Sequence, residues 1–138
     1  MNDLEQRNTH FLSIVQKTYP KFIYKPSSRF SYHPPRTISY ILSDPNFPLL
    51  LLHELGHATI GKNNYSTDVE RLKIECLAWD KAKSLAIEFN LDFDMELAES
   101  ELDSYRNWLH TKSLCKKCGL TRFQSANGHY YCPKCDPL

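Results

Sequence analysis

Residues 53 to 57 read His-Glu-Leu-Gly-His, and these five residues carry more chemistry than any other short segment of the 138-residue chain. On a helix, positions four apart lie on one face, so His53 and His57 can direct imidazole nitrogens at one metal ion. Glu54 lies on the adjoining side of that helix, where its carboxylate can reach a water next to the ion. The pattern therefore indicates the chemistry of a zinc hydrolase. The alternative is a chance spacing of two histidines on a helix.

The residues before the first histidine indicate that this helix is buried. Phe47 and four consecutive leucines precede His53, and a helix that is apolar all round packs inside a core. Asn46 can serve as the N-cap, and Gly61 can end the helix. The sequence predicts a helix from Phe47 to Ile60, whose imidazoles need partners in the interior.

A catalytic zinc usually has three protein ligands and one open position. No third histidine follows His57 closely, so a carboxylate is the expected third ligand. The next helical segment is predicted from Asp68 to Phe89, and Glu75 falls inside its apolar stripe. An ionised carboxylate among apolar side chains is costly without a cation, so we expect Glu75 to bind the zinc. A buried salt bridge to an arginine is the alternative.

The His-Glu-Leu-Gly-His motif, followed by Glu75 in Ile-Glu-Cys-Leu-Ala-Trp, resembles the gluzincin metallopeptidases in their small form, the minigluzincins and the ImmA/IrrE-type peptidases. The resemblance covers roughly residues 1 to 110. It implies that His53, His57 and Glu75 bind one catalytic zinc and that Glu54 is the general base that activates a zinc-bound water. It also implies hydrolysis of peptide bonds in a protein or peptide substrate.

Four cysteines near the C-terminus form a second pattern: Cys115 and Cys118, then Cys132 and Cys135. Two C-x-x-C pairs at this separation predict a tetrahedral structural zinc, and the segment looks like a zinc ribbon. A ribbon of about 25 residues cannot bury enough apolar surface to fold alone, so its metal supplies most of its stability. Two disulfides in a secreted protein are the alternative.

Compartment and membrane contact are also addressed by the sequence. The chain opens without a basic stretch that leads into an apolar core, so a secretory signal is not expected. No apolar run approaches the ~18 residues that a membrane-spanning helix needs. We therefore expect a cytoplasmic protein with no membrane contact. Because the cytoplasm is reducing, the four cysteines are expected to bind zinc and not to form disulfides, which gives two zinc ions per chain.

The predicted organisation is α+β. It comprises a mostly helical H-E-x-x-H metallopeptidase domain with a short sheet over residues 1–110 and a four-cysteine zinc ribbon over 113–138. The remaining predicted elements are helices over 3–18 and 92–112, strands over 22–24 and 36–42, and a ribbon hairpin that turns at Asn127-Gly128. Ser66 or Thr67 is predicted as the N-cap of the helix that carries Glu75, with Glu70 as the capping-box partner of Thr67. The strand over 36–42 is expected at the sheet edge, where it would pair with an extended substrate.

Charge identifies no partner, because the chain carries a formal net charge of +1. In the ribbon, three aromatics (Phe123, Tyr130 and Tyr131) lie near Arg122 and Lys116 in the sequence. They suit either base stacking or a small core of the ribbon itself, which is the favoured interpretation. SprT-like proteases also join an H-E-x-x-H domain to a zinc ribbon and act on DNA-bound proteins, but their third histidine has no counterpart here.

Two hypotheses therefore remain for the function. The first is an active zinc endopeptidase, in which Tyr65 is a candidate for stabilising the oxyanion. The second is a non-catalytic or latent metal-binding regulatory module, whose ribbon docks protein or DNA. In the latent form, His33 or the ribbon would block the cleft.

Overall fold

The structure is a computed structural model that describes residues 1–137. Within these residues the chain has four helices and two small sheets, which confirms the α+β class. The elements in chain order are α1 (Asp3–Thr18), β1 (Ile23–Pro26), β2 (Ser31–His33), β3 (Thr37–Tyr40), α2 (Phe47–Ile60), α3 (Asp68–Glu88), α4 (Met95–Ser113), β4 (Phe123–Gln124) and β5 (Tyr130–Tyr131). In the part of the chain so described, no helix combines the length and apolarity that crossing a membrane requires.

The first sheet corrects one prediction. Its strand order is β1-β3-β2, with β1 parallel and β2 antiparallel to β3. The strand predicted over 36–42 is therefore central, and both of its sides are already paired. Strand β2, which the sequence did not predict, lies between Pro26 and Pro34. Both prolines lie outside the three residues of β2, so they leave its hydrogen-bonding positions to other residues.

Helix α2 has the predicted bounds, Phe47–Ile60. Its start differs in detail, because the Asn46 side chain makes no capping hydrogen bond and the Asn46 N–H instead donates to Asp44 Oδ1 at 2.7 Å. The helix ends as predicted at Gly61, which has a φ of +71° and donates its N–H to the His57 carbonyl. A left-handed residue at this position favours glycine. The leucines of α2 anchor it in the core, since Leu51 is fully buried.

Helix α3 begins with the two predicted capping residues, Thr67 and Glu70. The Glu70 N–H donates to Thr67 Oγ1 at 3.3 Å, and the Thr67 hydroxyl donates to Glu70 Oε1 at 3.0 Å. The helix ends at Glu88, followed by Asn90 with a φ of +57°. Helix α4 starts at Met95, three residues after the predicted start at 92.

Contacts divide the chain into two compact units. The first comprises Met1–Gly61 and Leu77–Asp94, and the second comprises Lys62–Cys76 and the described residues from Met95 onward. In the first unit, Val15, Ile38 and Phe47 have no exposed surface. The boundary between 110 and 113 that the sequence suggests for two functional domains stays a prediction.

Candidate metal centres

Three predicted ligands come together in the structure. His53 and His57 on α2 and Glu75 on α3 each offer one ligand atom, and these atoms all lie within 4.8 Å of one another. A tetrahedral zinc with ligands at about 2.1 Å separates them by roughly 3.4 Å, so modest side-chain adjustment would close the set around an ion. Two imidazoles and a carboxylate are also a donor set that catalytic zinc sites use. These residues, hereafter the His/His/Glu group, fit a metal ion.

The surroundings of the His/His/Glu group are mostly buried. The exposed fractions are 8% for His53 and 6% for Glu75, and His57 is partly exposed. Glu54 is 7% exposed, and its Oε1 lies 3.6 Å from His53 Nδ1. Glu54 is therefore a buried carboxylate beside one of the candidate ligands, as the motif predicts. Its role as the general base stays a prediction.

Trp79 is a residue of the site that the sequence alone did not predict. Its ring stacks on the His53 imidazole with 4.4 Å between centroids and 8° between planes, and Trp79 is 3% exposed. A flat, buried partner of this kind restricts rotation of the imidazole about its side-chain bonds. The available signal was spacing, because Trp79 follows Glu75 by four positions on one helix and so shares its face.

The glycine of the motif lies where α2 meets α3. A Cβ built on Gly56 would lie 2.6 Å from the backbone oxygen of Ala78, which is closer than real Cβ atoms approach. Ala78 lies three residues after Glu75. The absence of a side chain at position 56 therefore permits the close packing of α2 on the segment of α3 that follows Glu75.

Two further candidates from the sequence have defined surroundings. Tyr65 is 47% exposed, and its ring lies 5.8 Å from the Arg71 guanidinium. His33 is exposed at the end of β2, where its Nε2 lies 3.2 Å from Ser31 Oγ. The oxyanion role of Tyr65 and the blocking role of His33 stay predictions.

The four cysteines of the C-terminal segment also converge. Their Sγ atoms all lie within 4.8 Å of one another, in Cys115, Cys118, Cys132 and Cys135. The Sγ atoms of Cys118 and Cys132 are 3.6 Å apart, near the ~3.8 Å edge of a tetrahedron around zinc with bonds of about 2.3 Å. Backbone N–H groups of Cys118 and Lys117 lower the pKa of the Cys115 thiol. The thiolate form, which binds metals, is therefore favoured there.

The hairpin of the ribbon has two different faces. Phe123 and Tyr131 are paired across β4 and β5, are 56% and 50% exposed, and stack with 5.8 Å between centroids. Gln124 and Tyr130 point to the opposite side, where both bind Asp68. The interpretation of these aromatics as a core of the ribbon itself is thus wrong for Phe123 and Tyr131.

No protein-family model, curated protein or solved structure matches this chain. The inference of function therefore depends on the residues of the two candidate metal centres.

Proposed function

We propose that the chain is a zinc-dependent endopeptidase. A catalytic zinc would be held by His53, His57 and Glu75, and a structural zinc by the four ribbon cysteines. The observation that carries the proposal is the convergence of two imidazoles and a carboxylate within 4.8 Å, with the buried Glu54 carboxylate 3.6 Å from one imidazole.

In the proposed reaction, the zinc ion and Glu54 have different roles in hydrolysing the peptide bond. A bound zinc ion supplies a Lewis acid that polarises the scissile carbonyl and lowers the pKa of water. Glu54 accepts a proton from the attacking water as the water oxygen forms its bond to the carbonyl carbon. As the carbon–nitrogen bond breaks, Glu54 delivers that proton to the leaving amine, so proton and bond changes balance. Burial of Glu54 keeps bulk water from competing for this proton.

An extended substrate needs a free strand edge, and the edge strands of the first sheet are β1 and β2. Of these, β2 packs against α2, the helix that bears the histidines. We therefore place the substrate backbone along β2 (Ser31–His33), in place of the central strand β3. Main-chain hydrogen bonds to β2 would give affinity with little dependence on substrate sequence.

Metal content and cleavage test the proposal together. Purified protein is expected to hold two zinc atoms per chain by elemental analysis and to cleave an unstructured protein such as casein at neutral pH. Chelation should abolish cleavage, and added zinc should restore it. Glu54→Gln should keep both ions and lower kcat by about 100-fold or more, whereas Glu75→Ala should leave one ion per chain.

Glu101→Gln is the matched control, because Glu101 is an exposed residue of α4 and its substitution should change neither ion content nor cleavage. A wild-type protein with a single ion per chain would contradict the assignment of the His/His/Glu group. Unchanged cleavage by Glu54→Gln would contradict the role of the base.

The exposed stacked pair of Phe123 and Tyr131 favours a second candidate function, a regulatory module whose ribbon docks DNA or protein. Exposed aromatic rings suit stacking with unpaired bases. Fluorescence anisotropy with labelled single-stranded DNA tests the nucleic-acid form. Phe123→Ala should weaken binding by about 10-fold, and absence of binding by wild-type protein would leave only a protein partner for this face.

A further inference from the structure

Asp68, the first residue of α3, is the centre of a buried polar cluster in the second unit. It is 6% exposed, and its Oδ2 accepts the Tyr130 hydroxyl at 2.6 Å, the Lys112 ammonium at 3.0 Å and the Gln124 amide at 3.4 Å. The Asp68 N–H in turn donates to Gln124 Oε1 at 2.8 Å. Two of these three partners, Gln124 and Tyr130, belong to the ribbon hairpin.

The hairpin also reaches the residues just before α3. A Cβ built on Gly128, in the turn between β4 and β5, would lie 3.1 Å from the Ser66 carbonyl oxygen. Gln124 links this turn to the cluster, because its amide donates to the Gly128 carbonyl at 2.9 Å. One face of the ribbon thus covers the start of α3 through both backbone and side chains.

The cluster holds Asp68 in its charged form. Burial alone would raise the pKa of the Asp68 carboxyl, but hydrogen bonds from Tyr130 and Lys112 outweigh burial, so its pKa lies below the ordinary value. A buried carboxylate that loses such donors is strongly destabilised. The start of α3 therefore depends on the ribbon being folded against it.

Folding of the ribbon in turn depends on its metal. A segment of about 25 residues with two two-residue strands cannot form a stable core alone, so removing the ion unfolds it. The donors from Tyr130 and Gln124 would then leave Asp68, and the first turns of α3 would fray. Glu75 lies seven residues after Asp68 on the same helix, about two turns into this segment.

We propose that the ribbon is a metal-dependent clamp on the start of α3, with Asp68 as a positioning residue, so that occupancy of the four-cysteine site sets the metal affinity of the His/His/Glu group. This inference rests on the proposed function in requiring that both groups bind an ion. When Glu75 is already ordered, ion binding costs less conformational entropy. When only a fraction of the molecules has an ordered Glu75, the apparent metal affinity is lowered in proportion to that fraction.

Titration of the metal-free full chain with Co²⁺ alone tests the clamp, because cobalt at the four cysteines shows thiolate charge-transfer absorption and cobalt at the His/His/Glu group does not. Tyr130→Phe removes only the hydroxyl that binds Asp68. We expect this variant to fill the thiolate site normally and to bind Co²⁺ at the His/His/Glu group about 3- to 10-fold more weakly. The double variant Cys118→Ser/Cys135→Ser should weaken that group by more than 10-fold.

Tyr131→Phe is the matched control, since it is the same substitution on the adjacent residue, on the exposed face of β5. It should leave both affinities within about twofold, because it removes no contact with Asp68. If Tyr130→Phe and the cysteine variant bind Co²⁺ at the His/His/Glu group as tightly as wild type, the clamp is overturned and the proposed function stands. If wild-type protein shows the thiolate site alone, the clamp and the proposed peptidase site both fail.

Discussion

Gly56 shows how a single missing side chain can determine the geometry of a site. A Cβ at position 56 would lie only 2.6 Å from the backbone oxygen of Ala78. Backbone atoms cannot rotate away as a flexible side chain can. Position 56 is therefore restricted to glycine by the packing of α2 on α3. Any larger residue separates the helix that carries the histidines from the residues that follow Glu75.

Gly56→Ala is expected to destabilise the protein by up to about 2 kcal/mol. Overpacking costs about 1–3 kcal/mol, and the better helix propensity of alanine offsets about 1 kcal/mol of that. Urea unfolding measures the change, and zinc competition with a chromophoric chelator should show weaker binding. Gly61→Ala is the control, because space is open around position 61 and only its left-handed backbone is strained. Equal zinc affinity in the two variants would show that the helix approach does not shape the site.

The stack of Trp79 on His53 gives a second prediction for single residues. Trp79→Leu removes the flat partner of the imidazole and should weaken zinc binding by about 2- to 10-fold, since aromatic pairs contribute about 0.5–1.5 kcal/mol. Trp79→Phe retains a ring and should lose less. Phe93→Leu serves as the control, because Phe93 contacts the Trp79 ring with 6.1 Å between centroids. This substitution changes the packing around Trp79 but leaves its stack on His53 intact. A leucine variant with wild-type affinity would refute an orienting role for Trp79.

Among the elements, those with strong local signals were predicted well. Helix α1 and helix α2 have the predicted bounds, because their apolar spacing and end signals lie within the segment itself. The order of strands in the first sheet was not predictable in this way. Pairing of β3 with both β1 and β2 depends on residues distant in sequence, and β2 has only three residues, too few to show a strand pattern.

The candidate sites show the same contrast between local and tertiary information. Spacing alone identified the histidines and cysteines as candidate ligands, because ligands of one ion recur at fixed intervals on a helix or in a C-x-x-C pair. Glu75 followed from the cost of burying a charge. Trp79 and Asp68 were missed, because their partners, His53 and Tyr130, are brought to them by folding.

The capping box of α3 provides a prediction for that element. Thr67→Ala removes the hydroxyl that accepts the Glu70 N–H at 3.3 Å and should cost about 1 kcal/mol of stability. Thr59→Ala is the matched control, because the Thr59 hydroxyl donates to the Gly56 carbonyl within α2 and caps no helix end. Urea unfolding distinguishes the two. If both variants lose the same stability, the Thr67 hydroxyl has no special role at the start of α3.

At the scale of the whole molecule, ionisable tyrosines make stability depend on alkaline pH. Burial and the hydrogen bond to Asp68 raise the pKa of Tyr130 to about 12, from an ordinary value of 10.0. Because the folded pKa is the higher one, this contribution is complete below pH 10 and is lost as pH rises from 10 towards 12. Tyr19, Tyr24 and Tyr40 have raised pKa values as well, so they act in the same direction.

Comparison of two variants isolates the contribution of Tyr130 from that of the other tyrosines. Wild-type protein should lose stability between pH 10 and 12, and one tyrosine contributes at most about 1.4 kcal/mol per pH unit. Tyr130→Phe removes one titrating group with a raised pKa, so its unfolding free energy should fall less steeply over this range. Tyr131→Phe is the matched control, because Tyr131 lies on the opposite face of the hairpin, 50% exposed, and its substitution leaves the contact of Tyr130 with Asp68 in place. Urea unfolding at pH 9, 10 and 11 gives, for each of the three proteins, the change in unfolding free energy per pH unit. If this slope is the same for Tyr130→Phe and wild type, Tyr130 does not contact Asp68 in solution.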